Sequence, residues 1–396
     1  MKKVVLTLAI CLFVVLAMSN CSGASKQATD GENLSSNGGD PAKQLTDREI
    51  LVKIYESMNG SNWKGSEATN WLSEKPIGEW EGVKTNDEGR VIALRIAGDH
   101  VNGILPAEIG GLTALEQLFV FVRECDAPNV IPKEIRRLTK LNNLSLTVHT
   151  KPKMDKPVLP DLSTLVDLKK LYLKGFGGVI PENISQLSKL QVLGLHGYEG
   201  KIPESICQLA DLTELSISMP NQPVNGLPEC VGRLSKLTLL KVDFSIGSVG
   251  GNKEPIGKFP ESIWDLTNLE YLTMNALSNS GGPIPGDKVA KMTNLKSVTI
   301  VNCGLTGKLP VELFASGKLI GLGFYQNKLT GSIPSEIGTC LNLATLRLNQ
   351  NQLTGKIPAE LAKCVKLTVC DLSNNQLSPE LPAALKAHPK FSNFKF

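Results

Sequence analysis

Between Leu319 and Asn375 the apolar positions fall at fixed offsets. Leu319, Leu322 and Phe324 are followed by Leu343, Leu346 and Leu348, then by Leu367, Cys370 and Leu372, so that a new unit opens every 24 residues. Within each unit the last two of these positions stand two residues apart, on either side of an outward one. That period of two predicts a short strand with one face inward and one toward solvent. Asn327, Asn351 and Asn375 follow where the strand must turn. An amide there can bond backbone groups that have lost a strand partner. Gly331 and Gly355 stand three residues before Pro334 and Pro358. Such a proline opens a short helical turn, and Glu336 and Glu360 suit its first residues. A fixed period of this length predicts a solenoid, whose units bury their apolar faces only by stacking.

The same frame, less regular, runs backward through the chain. Units open at Val91, Leu115, Leu141, Leu168, Leu190, Leu212, Leu237, Leu269 and Leu295 before the three regular ones. Each carries an apolar-Pro pair, from Leu105-Pro106 to Leu381-Pro382. Insertions fall between strand and proline, the longest at Thr147 to Val158 and Ser245 to Lys258. The turn position suits the asparagine frame at Asp99 and Cys303 but not at Arg123, His149, Phe176, Tyr198, Pro220, Ser245 or Leu277. Coils 2 to 8 therefore depart from the pattern that coils 9 to 12 keep, either by drift or because they carry a binding surface. Ahead of the repeats, Thr46-Asp47-Arg48-Glu49 is a capping box, and Ile50, Leu51, Ile54 and Tyr55 give a helical apolar face. Trp63, Trp71 and Trp80 follow, and a solenoid end needs such an apolar plug. The predicted organisation is a signal peptide over 1–20, a flexible tether over 21–45 and an N-terminal cap over 46–90. Repeats then fill 91–390, with a closing strand over 391–396.

The frame L-x-x-L-x-L-x-x-N-x-L-T-G-x-I-P resembles the leucine-rich repeat of the plant-receptor type. The resemblance implies an α/β solenoid, a right-handed superhelix of about twelve coils with a helical, Trp-rich N-terminal cap. The stretch from Asp47 to Val91 resembles the plant cap but lacks its cysteine pairs, since no Cys lies between Cys21 and Cys125. Met1 to Cys21, with Lys2 and Lys3 before the apolar run Val4 to Ala17, resembles a bacterial lipoprotein signal with Cys21 as the lipidated residue. It implies an outer-membrane lipoprotein of a bacterial envelope, held to the membrane by a lipid anchor only. Ordinary cleavage after Ala17-Met18-Ser19 would instead release a secreted or periplasmic protein. The Ser-, Gly-, Asn- and Asp-rich stretch from Ser22 to Lys43 suits a tether.

The formal charge of +4 falls to about +2 once Lys2 and Lys3 are removed, too little to point to nucleic acid. Seven cysteines lie beyond the signal, an odd number with no tight spacing, which argues against a disulfide framework. Cys340, Cys364 and Cys370 read as small buried apolar residues. His100, His149, His196 and His388 lack metal-ligand spacing, and Gly247-Ser248-Val249-Gly250-Gly251 lacks the Lys-Ser/Thr ending of a phosphate loop. No cofactor, metal or catalytic constellation is expected. What remains is the solvent side of the strands, the concave face in a solenoid of this type. Phe119, Phe121, Tyr172, Lys174, His196, Lys241, Phe244 and Tyr271 are the expected ligand-binding residues there, with Arg95, Tyr325, Arg347 and Asp371 also outward. Aromatics and arginine carry most interface energy. The expected activity is non-enzymatic binding of a protein ligand by a monomer, with a glycan as the alternative. Lys151, Lys153, Lys156, Lys241, Lys253 and Lys258 would steer an acidic partner.

Overall fold

The computed structural model describes residues 44–63, 69–98, 100–125, 130–151, 154–219, 226–244, 258–275 and 280–396. The signal, Cys21, most of the tether, Asp99, Pro220, Leu277 and all but the last residue of the 245–258 insertion lie outside the described residues. Eighteen strands are described. The first ten are β1 (Val83–Thr85), β2 (Val91–Ile96), β3 (Gln117–Cys125), β4 (Asn143–Thr150), β5 (Lys170–Lys174), β6 (Val192–His196), β7 (Glu214–Ser218), β8 (Leu239–Asp243), β9 (Tyr271–Asn275) and β10 (Ser297–Val301). The last eight are β11 (Thr306–Gly307), β12 (Gly321–Gly323), β13 (Lys328–Gly331), β14 (Thr345–Arg347), β15 (Gln352–Gly355), β16 (Val369–Asp371), β17 (Gln376–Leu377) and β18 (Phe394–Lys395). They form one 14-stranded sheet, in order β1 to β10 and then β12, β14, β16 and β18. A second sheet of four strands, β11, β13, β15 and β17, runs along the regular repeats. Every neighbouring pair in the long sheet is parallel except β1 and β2.

Alternation sets the core. Leu171 and Leu173, Leu193 and Leu195, Leu215 and Ile217, and Leu240 and Val242 all point inward and are fully buried. Opposite the sheet, the proline opens a turn of α-helix at Gly286–Val289 and Ala383–Lys386 and a turn of 3-10 helix in most other coils, as at Lys133–Arg137 after Pro132 and Ser335–Thr339 after Pro334. The third residue closes each turn, Ile337 N–H donating to Pro334 O at 3.2 Å. These turns stack as the strands do, so the core is one continuous column.

The asparagine position decides where a strand stops. Asn327 Nδ2 donates to the carbonyls of Ile300, Phe324 and Tyr325 at 2.8–3.1 Å, and its Oδ1 accepts from Cys303 and Leu305 N–H at 3.1 Å. Asn351 repeats the arrangement one coil on, accepting from Leu329 N–H at 3.0 Å. The residues just before, Gln326, Gln350 and Asn374, turn left-handed with φ near 55–58°. The strands there, β12, β14 and β16, are three residues long, whereas β5 to β10 have five, β4 eight and β3 nine. In coils 4 and 5 the asparagine gives way to Phe176 and Tyr198, both buried. Their rings fill the space that amide bonds occupy elsewhere. Gly175, with φ 86°, makes the turn, and a Cβ there would lie 1.8 Å from Val148 O. Coils 1 to 9 thus carry the wider part of the sheet and coils 10 to 12 the narrower part.

At the front, helix α1 (Asp47–Ser57) carries both bonds of the capping box: Glu49 N–H donates to Thr46 Oγ1 and Thr46 N–H to the Glu49 carboxylate. Ile50, Leu51 and Ile54 are buried beneath it. Trp63, Trp71 and Trp80 are buried and packed in series, ring centroids 5.2 and 5.3 Å apart. The indole N–H groups of Trp63 and Trp71 donate to Met58 O and Glu81 O. Asp47, itself buried, accepts from Val91 N–H at 2.7 Å and from Arg90 Nε at 3.1 Å. One carboxylate therefore ties the helix to the first repeat strand.

Cysteine usage differs from the expectation. Cys207 and Cys230 form a disulfide between neighbouring 3-10 turns, Glu204–Gln208 and Glu229–Arg233. Stacking of successive coils brings together residues 23 apart in sequence. Cys303, Cys340, Cys364 and Cys370 are buried thiols, and burial raises the pKa of Cys370 to about 12. A loop of this length corresponds to about 3 kcal/mol of denatured-state restriction. Replacing both Cys207 and Cys230 by Ser is expected to lower stability by roughly that amount in urea titrations. Wild-type protein digested without reductant should yield one linked peptide containing both residues.

Candidate binding surface

Parallel register lays the open face of the long sheet out as a grid. One row across it reads Arg95, Phe119, Ser145, Tyr172, Gly194, Ser216, Lys241, Thr273, Thr299, Gly323, Arg347 and Asp371. Two residues further along each strand, a second row reads Phe121, Thr147, Lys174, His196, Ser218, Asp243 and Asn275. This second row runs within strands through coils 2 to 8 and ends at the buried Val301 in coil 9, because β12, β14 and β16 stop before it. Tyr271 lies in a third row, opposite Leu239 and Ser297.

Seven of the eight expected residues stand on this face and are half-buried: Phe119, Phe121, Tyr172, Lys174, His196, Lys241 and Tyr271. Phe244 does not, being 3% exposed. It shares the parity of Leu240 and Val242, so the period of two carries it into the core. Met219, Val148 and Val122 are buried at the same offset in their coils.

The residues group through ring contacts. The Arg95 guanidinium lies 5.1 Å from the Phe119 ring centroid, and Phe121 packs on His149 at 5.3 Å. Tyr172 packs on His196 at 5.0 Å, and Ser216 Oγ is 3.5 Å from His196 Nε2. Tyr271 faces Lys296, whose ammonium pairs with Glu270. Tyr172 reclines across the neighbouring strand because Gly194 stands beside it: a Cβ there would lie 2.4 Å from the Tyr172 ring. Burial lowers the His196 pKa to about 4, helped by the Lys174 and Lys241 cations and opposed by Asp243. His149 is lowered in the same way, by burial first and then by Lys174 and Arg123. Both imidazoles are neutral at pH 7. Gly194, Ser216 and Asp243 carry no signal in the sequence, because small or isolated residues acquire meaning only once the register is known.

Among the described residues no group of three or more His, Cys, Asp or Glu is placed to hold a metal ion. No described helix is long and apolar enough to cross a membrane.

Residues 342–364 and 366–387 match the family model for the Leucine Rich Repeat. The chain carries leucine-rich repeats. Its leucine-rich-repeat solenoid is similar to the TDR receptor, at 27% identity and a TM-score of 0.61, covering 72% of this chain and 47% of that one. It is likewise similar to PEPR1 in the PEPR1–AtPEP1 structure, at 26% identity and a TM-score of 0.59, covering 86% and 50%. The plant peptide hormone receptor RGFR1, solved in complex with RGF2, gives 28% identity and a TM-score of 0.59, covering 79% and 51%. The chain thus spans about half the length of these receptor structures. No curated protein matches the sequence.

Proposed function

We propose that this leucine-rich-repeat chain is a non-enzymatic, extracytoplasmic binding module that takes a protein or peptide ligand on the open face of coils 2 to 8. The observation that carries this reading is the grid itself. The second outward row runs through those coils and ends one strand later at Val301, and that row and its neighbour hold Phe119, Phe121, Tyr172, His196 and Lys241. Two of the similar structures hold AtPEP1 and RGF2, the latter with a plant peptide hormone receptor, which favours a peptide or protein over a glycan. A photocrosslinking residue at Phe121, on this face, is expected to give one specific adduct with a protein ligand on intact envelopes. The same probe at Val365, 65% exposed elsewhere on the molecule, should give none. Equal adducts from both positions would overturn the assignment.

Export is supported by the Cys207–Cys230 disulfide, since such bonds persist in oxidising compartments. Lipidation of Cys21 completes the proposal, with the Ser22 to Lys43 stretch as tether in a bacterial envelope. The wild type should take up acyl label and partition with membranes, and Cys21→Ala should be released to the soluble fraction. Unlabelled wild-type protein and an equally membrane-bound variant would exclude the anchor.

A further inference from the structure

The middle of the grid has a chemistry of its own. Between Tyr172 on β5 and Lys241 on β8 the intervening row positions are Gly194 and Ser216, the smallest side chains available. Tyr172 lies over Gly194 and against His196, so the hollow floor falls at Ser216. Lys174 borders it from β5 and Lys241 from β8, three strand steps or about 14 Å apart at the backbone. Four lysines on other coils meet a carboxylate one coil away: Lys189 with Asp167, Lys236 with Asp211, Lys288 with Asp265 and Lys356 with Glu380. Lys174 and Lys241 form no ion pair among the described residues.

We propose, resting on the binding role above, that this hollow seats an acidic side chain of the protein ligand. The carboxylate lies on the Ser216 hydroxyl, and the ammonium groups of Lys174 and Lys241 close on it from either side. Tyr172 supplies an apolar wall for the methylene stem, and a hydroxyl plus two cations matches the acceptor-only chemistry of a carboxylate. The charged groups that act on His196 are Lys174 from β5 and Lys241 and Asp243 from β8, with the Lys156–Glu199 pair beside it at Gly197. Besides that pair there are two cations against one anion, so one added carboxylate balances the group. Such a ligand also makes the imidazolium less costly, so binding and protonation of His196 favour one another.

The test uses the intact protein and a blocked hexaglutamate peptide, followed by the ring-proton resonances of His196, assigned from the His196→Asn variant. Hexaglutamate is expected to bind, to move the His196 midpoint upward from about 4, and to lose at least tenfold in affinity in K174A/K241A and in Ser216→Leu. Hexaglutamine should do none of these. All three variants alter half-buried side chains of the open face, and unchanged urea midpoints would confirm that they fold. Absent hexaglutamate binding, or binding indifferent to K174A/K241A and Ser216→Leu, overturns the proposal, as does inorganic phosphate competing more tightly than the peptide. If the Phe121 crosslink persists while hexaglutamate fails, the acidic seat falls and the binding role stands.

Discussion

A chain that begins at Val91 is expected to self-associate rather than to fold as a soluble monomer. Truncation there removes the cover provided by Ile50, Leu51, Ile54, Met58, Trp63, Trp71 and Trp80, all buried. At about 1.5–3 kcal/mol for each large apolar side chain, the loss is on the order of 10–20 kcal/mol, which exceeds the whole stability of most domains. It also strips β1 from β2, and an unpaired strand edge invites pairing with another molecule. Size-exclusion chromatography of the truncated chain checks this, with a monomer as the contrary result. A milder version is Asp47→Ala, which leaves the Val91 N–H without its carboxylate and should cost about 1–3 kcal/mol. In both cases the front segment acts as a cap because the first strand offers groups that only it satisfies.

Replacing Asn327 by Ala should cost about 3–5 kcal/mol, the largest single-residue loss in the regular coils. The amide satisfies three carbonyls and two N–H groups, and orphaning a buried polar group costs about 1–3 kcal/mol before relaxation. Asn375, whose bonds are similar but less buried, should cost less when replaced. Phe176→Asn in coil 4 should not restore a ladder, because its neighbours make strand bonds instead: Gly175 N–H donates to His196 O at 3.0 Å. A chemical denaturation series ranks these variants. Equal midpoints for Asn327→Ala and wild type would mean that the asparagines do not hold the coils together.

The repeats were legible because leucines at fixed offsets and asparagines at turns record packing directly. Misreadings arose where the signal lay between coils. Phe244 is expected outward, yet it shares the parity of Leu240 and Val242 and follows them into the core. Cys207 and Cys230 sit four and two residues after their prolines, so no shared repeat position announced their pairing. The bridge follows from how one coil rests on the next. Gly194 and Ser216 are unremarked in sequence for a related reason. A small residue makes a hollow only against neighbours that the register supplies, here Tyr172, His196 and Lys241. Irregularity in coils 2 to 8, by contrast, was visible from the start, and longer strands give it a physical meaning.

The account turns on whether those irregular coils are the binding surface, and affinity for the protein identified by the Phe121 crosslink measures it most directly. Phe121→Ala and Tyr172→Ala should each lose about thirtyfold, the equivalent of about 2 kcal/mol for a buried anchor, while Tyr325→Ala and Arg347→Ala on the regular coils remain within twofold of wild type. Equal losses from both pairs, with folding intact, would show that the long strands of coils 2 to 8 are drift and that the ligand sits elsewhere.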